Sequence, residues 1–175
     1  MGHGAWFLYC SQLWSPRYLK DIKRIETIQR RVTKLILPSS ILSYKERLLE
    51  LNLLPLMYLY DLNDILFLAK CILHPPDNFD IFQFVSFCSH PTRSCSEGKL
   101  QVKFKRISTI HHFFFNRVVK LWNKVPSWCL DLTLSFPSIK ARLSDHFYNH
   151  FLNHFNPDSI CSYHFVCPCP NCFYL

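Results

Sequence analysis

Pro55-Leu-Met-Tyr-Leu-Tyr60-Asp-Leu-Asn-Asp-Ile65-Leu-Phe-Leu-Ala-Lys70-Cys-Ile-Leu-His-Pro75-Pro76 is the stretch on which the fold turns. A long run that is apolar on almost every side and ends at prolines reads as a helix in the middle of a helical bundle. Asp61, Asn63, Asp64 and Lys70 lie inside it, a cluster that a membrane span would not tolerate cheaply. Asp61 and Asp64 stand one turn apart and are expected at the helix's solvent edge.

Upstream, Ser15 has the residue type of a helix cap and Pro16 that of a first helical position, so a helix is expected from there to Pro38. Leu19, Ile22, Ile25, Ile28, Val32, Leu35 and Ile36 recur along it at steps of three and four, one apolar stripe expected to pack on the central helix. Ser43 and Glu46 have capping-box spacing and open a short helix ending near Asn52. Downstream, residues 77–99 read as a low-order connector, although Ile81, Phe82, Phe84, Val85 and Phe87 have the makings of a short strand. Leu100 to Lys105 alternates apolar and polar like a strand with one wet face. A helix follows over about 110–123 and stops at Pro126. Another begins near Pro137, with Ile139, Leu143, Phe147 and Phe151 at steps of four. The expected class is therefore mainly α, a small helical bundle with one or two short strands and an irregular Cys-rich tail. Its segments are a bundle over 1–76, the connector, a basic strand-and-two-helix part over 100–156, and the tail over 157–175.

Composition narrows the function. The chain has 175 residues, 49% of them hydrophobic, and a formal net charge of +8, too apolar for a disordered tail. Three glycines, Gly2, Gly4 and Gly98, leave no way to write a dinucleotide loop, a P-loop or a nucleophile elbow. Nine cysteines, an odd number with five scattered irregularly through the first 130 residues, do not suggest a disulfide framework. The N-terminus lacks the basic start and apolar core of a secretory signal, so an intracellular location and no membrane partner are expected.

Two basic clusters carry the binding expectation. Arg17, Lys20, Lys23, Arg24, Arg30, Arg31 and Lys34 face only Asp21 and Glu26. Between residues 93 and 124, eight basic residues, among them Lys103, Lys105, Arg106, Arg117, Lys120 and Lys124, meet Glu97 alone. Cationic helix faces backed by apolar stripes offer phosphate contacts to RNA or DNA; they are also what ordinary solvated helices look like. For catalysis the carboxylates are too few: no Asp-Asp pair exists, and no Ser, His and Asp trio has supporting context. His146, His150 and His154 fall at i, i+4 and i+8, a metal-compatible spacing that an amphipathic face shared with Phe147, Phe151 and Phe155 explains better. In the tail, Cys161, His164, Cys169 and Cys172 form two short pairs near a zinc-knuckle layout. Two readings stand there, a structural zinc or a loose reduced tail. No catalytic cofactor is expected.

Three stretches together resemble one family. They are Tyr9-Cys10-Ser11-x-x-Trp14-Ser15-Pro16 with Ile25-Glu26-Thr27-Ile28-Gln29-Arg30-Arg31-Val32-Thr33-Lys34, then Ser43-Tyr44-Lys45-Glu46-Arg47-Leu48, then Phe114-Phe115-Asn116-Arg117-Val118-Val119-x-Leu121-Trp122-Asn123-x-Val125-Pro126. In order and spacing these resemble the C-terminal region of reverse transcriptases, RNA-directed DNA polymerases, from jockey-like non-LTR retrotransposons. The resemblance covers about residues 9–155. It implies a thumb and post-thumb fragment that helps hold template and primer, with the parent's palm and fingers as missing partners. Trp14, Glu26, Gln29, Arg30, Arg31, Tyr44, Arg47, Arg117, Trp122, Asn123 and Pro126 match motif positions, none catalytic in that family. Because the palm aspartates are absent, the chain alone is expected to be no enzyme. The alternative is a remnant open reading frame without selected activity, or a co-opted basic RNA-binding protein.

Overall fold

The computed structural model describes residues 10–16, 18–38, 41–88, 98–103 and 114–166. These residues form a mainly helical protein with one two-stranded antiparallel sheet, as the sequence predicts. In chain order the elements are α1 (Ser11–Trp14), α2 (Leu19–Ile36), α3 (Tyr44–Glu50), α4 (Leu56–Leu73), β1 (Val85–Phe87), β2 (Leu100–Val102), α5 (Phe114–Lys124) and α6 (Phe136–His154). Two compact units result, Met1–Leu62 with Asp145–Leu175, and Asn63–Ser144. The chain passes from the first into the second within α4 and returns within α6. No helix among the described residues is long and apolar enough to cross a membrane.

In the first unit the capping box forms as predicted. Ser43 N–H donates to Glu46 Oε2 at 2.6 Å and Glu46 N–H to Ser43 Oγ at 3.3 Å, so two amides at the start of α3 are satisfied reciprocally. The core is aromatic. Tyr58 of α4 meets Phe147, Phe151 and Phe155 edge-on, with ring centroids 6.3, 6.2 and 6.5 Å away. Phe147 and Phe151 lie on the four-residue stripe that predicted α6.

The start of α2 departs from expectation. Ser15 N–H donates back to Ser11 O at 2.9 Å, so Ser15 closes α1 instead of opening a long helix, and α2 begins at Leu19 after Tyr18. The face of α2 that turns inward holds only part of the apolar stripe. Ile22, Glu26 and Thr33 are buried, whereas Ile28, Val32, Leu35 and Ile36 are 42%, 47%, 80% and 55% exposed. Both polar inward residues have internal partners, Thr33 accepting from Arg47 Nε at 3.5 Å and Glu26 from Tyr44 and Leu56, and those bonds fix the helix's rotation.

In the second unit, residues expected to be a loose connector are partly ordered. Ile81–Gln83 make a 3₁₀ turn, and β1 pairs antiparallel with β2 in the register Val85 with Val102 and Phe87 with Leu100. α5 packs on β2. Phe84 stacks on Phe115 at 4.6 Å, and Trp122 Nε1 donates to Gly98 O at 3.0 Å. Asn123 uses both ends of its amide: Nδ2 donates to Leu100 O at 2.8 Å, and Oδ1 accepts from Leu100 N–H at 2.9 Å. Cys88 is disulfide-bonded, while Cys10, Cys71, Cys129 and Cys161 are free.

Asp61 and Asp64 are buried rather than at a solvent edge. Each has a specific partner inside its own unit. Asp61 Oδ2 accepts from Phe165 N–H at 3.0 Å and lies 3.5 Å from His164 Nδ1. Asp64 Oδ2 accepts from Arg117 Nε at 2.7 Å.

Candidate nucleic-acid interface

A helix turns about 100° per residue, which sorts α2 into three sectors. Ile22, Glu26, Gln29 and Thr33 share the inward sector. Ile25, Ile28, Val32, Leu35 and Ile36 share a second with Asp21. The third holds Lys20, Lys23, Arg24, Arg31 and Lys34, all exposed, with Thr27 as its one uncharged member. No acid interrupts it. Five cations from Lys20 to Lys34 cover about 21 Å of helix axis.

Arg30 is not part of that surface. Its guanidinium lies over the Tyr44 ring at 4.5 Å, donates to Pro157 O at 2.8 Å and bonds the Tyr163 hydroxyl. It borders a cleft of about 400 Å³ lined by Lys23, Glu26, Thr27, Arg30, Pro157, Asp158 and Tyr163. At the base sits Glu26, 1% exposed, accepting from Tyr44 OH at 2.5 Å and from Leu56 N–H at 3.1 Å. Burial pushes its carboxyl up to about 7, against the lowering effect of those two bonds and of the Arg30 charge. Both oxygens are occupied, so Glu26 latches α2 to α3 and to the start of α4. Gln29 Nε2 completes the latch by donating to Leu54 O at 3.0 Å.

The second cluster is more divided. Arg117 is committed to Asp64, and Lys103 Nζ bonds Phe82 O. Lys120 and Lys124 are exposed, and desolvation draws the Lys120 ammonium below its ordinary value. Arg17, Lys105 and Arg106 lie outside the described residues.

Of the four predicted zinc ligands, Cys169 and Cys172 lie outside the described residues. Cys161 is half-buried, and His164 is buried with Nδ1 toward Asp61 and Nε2 without a hydrogen-bond partner among the described residues. α6 does run far enough to bring the three histidines onto one side. There His146 and His150 lie against the Phe165 ring at 5.6 and 4.7 Å, His150 lies 4.5 Å from His154, and His150 Nδ1 is 2.9 Å from Tyr58 OH. Burial first, then the neighbouring histidine charges, lowers His150 to about 4. Among the described residues no group of three or more His, Cys, Asp or Glu side chains is arranged to hold a metal ion.

The cleft and its latch were not read from periodicity. Gln29 and Tyr44 stand in the sequence as motif positions, Arg30 also as a member of the basic cluster and Glu26 as an acid facing it, and nothing local pairs them with Pro157 or Tyr163, more than a hundred residues on. No family model, no curated protein and no solved structure matches this chain.

Proposed function

We propose that the chain is a non-catalytic nucleic-acid-binding element, of the kind that the thumb and post-thumb region contributes to the RNA-directed DNA polymerases of jockey-like non-LTR retrotransposons. It holds template and primer through backbone phosphates. The observation that carries this reading is the uninterrupted basic sector of α2, which presents five exposed cations along about 21 Å of helix axis. The resemblance of the three motif stretches supports it. The parent enzyme's palm and fingers are the implied partners, and the chain itself supplies no phosphoryl-transfer chemistry.

Salt titration tests the reading. With up to five phosphate contacts, log K for a labelled single strand should fall with log salt by up to about 3.5, and for duplex DNA by up to about 4.5. Changing Lys23, Arg31 and Lys34 together to Ala should reduce that slope by about 2 to 3. These side chains are exposed, so the variant keeps its fold. If the chain binds neither RNA nor DNA at low salt, or if the triple variant leaves the slope unchanged, the basic sector is only a solvated helix face.

A further inference from the structure

The second sector of α2 is turned largely out of the core. Ile28, Val32, Leu35 and Ile36 are all exposed, and Ile25 is half-buried beside them. Within this strip Ile25, Ile28, Val32 and Leu35 step by three, four and three, the a-d-a-d phase of a two-stranded helical seam, with β-branched residues at both a positions. Their Cα atoms extend about 15 Å along the helix axis, about three turns. An apolar strip so regular, turned away from the core while polar Glu26 and Thr33 turn toward it, is shaped for another helix.

The rims of the strip identify the occupant. Arg24 and Arg31 occupy the two g positions along one rim, both exposed. The opposite rim is closed, because Gln29 at the e position donates to Leu54 O. A second copy packed antiparallel would set Arg24 against Arg31; packed parallel, it would set them against Gln29 and Ile36. Neither arrangement sets an acid against the arginines; the one acid of the strip, Asp21, is half-buried at the d position before Ile25. A lipid surface is met by a helix with cations free on both rims, and here only one rim is free.

We propose that this sector of α2 docks a single amphipathic helix whose apolar a and d residues meet Ile25, Ile28, Val32 and Leu35 and whose flanking Asp or Glu residues pair with Arg24 and Arg31. The inference is independent of phosphate binding, which uses the neighbouring sector, but the two share Arg24 and Arg31. An acidic helix seated on the strip therefore weakens nucleic-acid binding, and nucleic acid weakens helix docking by the same factor.

The full chain is titrated into a fluorescein-labelled synthetic peptide of about three heptads with Leu at a and d and Glu at e and g, and into its twin with Lys at e and g. The acidic peptide should bind at least about tenfold more tightly at low salt, since like charges across an interface repel. Ile28→Asn with Val32→Asn should abolish that binding without lowering the thermal midpoint, both positions being exposed. Arg24→Glu with Arg31→Glu should reverse the preference to the basic peptide. Leu152→Asn, an exposed apolar position on α6, should change nothing. Equal binding of the two peptides, or insensitivity to the Ile28 and Val32 changes, overturns the proposal. Self-association lost in the Ile28 and Val32 variant overturns it in favour of a second copy. Binding to phosphatidylserine vesicles lost in that variant, with neither peptide bound, overturns it in favour of a membrane. A chain that takes the acidic peptide but no nucleic acid keeps this inference and removes the proposed function; the converse result does the opposite.

Discussion

Glu26 and His150 give the first unit two opposed responses to pH. Glu26 titrates near 7 when folded against an ordinary 4.5, so its contribution is fully present below pH 4.5 and is lost as pH rises to 7. Over that window the loss is about 3 kcal/mol. His150, lowered to about 4 from 6.5, works the other way: its contribution is present above pH 6.5 and is lost as pH falls to 4. It is half-buried, so solvent screens it and its effect is smaller. In urea titrations Glu26→Gln should therefore become more stable as pH rises from 4 to 6.5, while His150→Gln should become less stable from 4.5 to 7. Equal slopes in the two variants would contradict both assignments. Arg117 offers a second residue-scale test. Its partner Asp64 is fully buried, so Arg117→Ala takes a cation away from a buried carboxylate and should cost about 3 kcal/mol or more in denaturant unfolding. Arg117→Lys should not restore it, because the ammonium has a different reach and shape.

At the scale of elements, what was legible in the sequence followed from local chemistry. The Ser43 box, the Pro55 start of α4 and the four-residue stripe of α6 each need only neighbours along the chain, and each stands where expected. Ser43→Ala should cost about 1 kcal/mol, readable as a shift in the urea midpoint. What was not legible depends on partners distant in sequence. The stripe on α2 predicted burial, but Tyr44, Leu54 and Leu56 bind the polar sector instead and turn the stripe outward. Asp61 and Asp64 read as a solvent edge because Phe165 and Arg117, their partners, are 104 and 53 residues away. The basic sector was legible as composition. That Arg30 and Arg117 leave it for internal partners was not. Asn123→Ala removes both bonds to Leu100, and the thermal midpoint should fall by an amount matching about 1 to 3 kcal/mol.

For the molecule as a whole, the proposed role makes a negative prediction that is simple to check. Purified chain should give no template-dependent nucleotide incorporation on RNA or DNA with magnesium or manganese. Incorporation that survives repurification would remove the non-catalytic reading. The division into two units carries a different consequence, one about time. Tyr58 is made early, whereas Phe147, Phe151 and Phe155, the rings that enclose it, come after the whole second unit. At about 5–20 residues per second, the roughly 90 residues between Tyr58 and Phe147 take about 5–20 s to synthesise. The stretch from 63 to 144 leaves the ribosome as a complete unit, while the first unit waits with an unfinished core for its closing helix. Nascent chains stalled before residue 145 should thus expose Tyr58 and its neighbours to chaperones, and a stop codon there should leave the beginning of the protein, not its end, unable to settle.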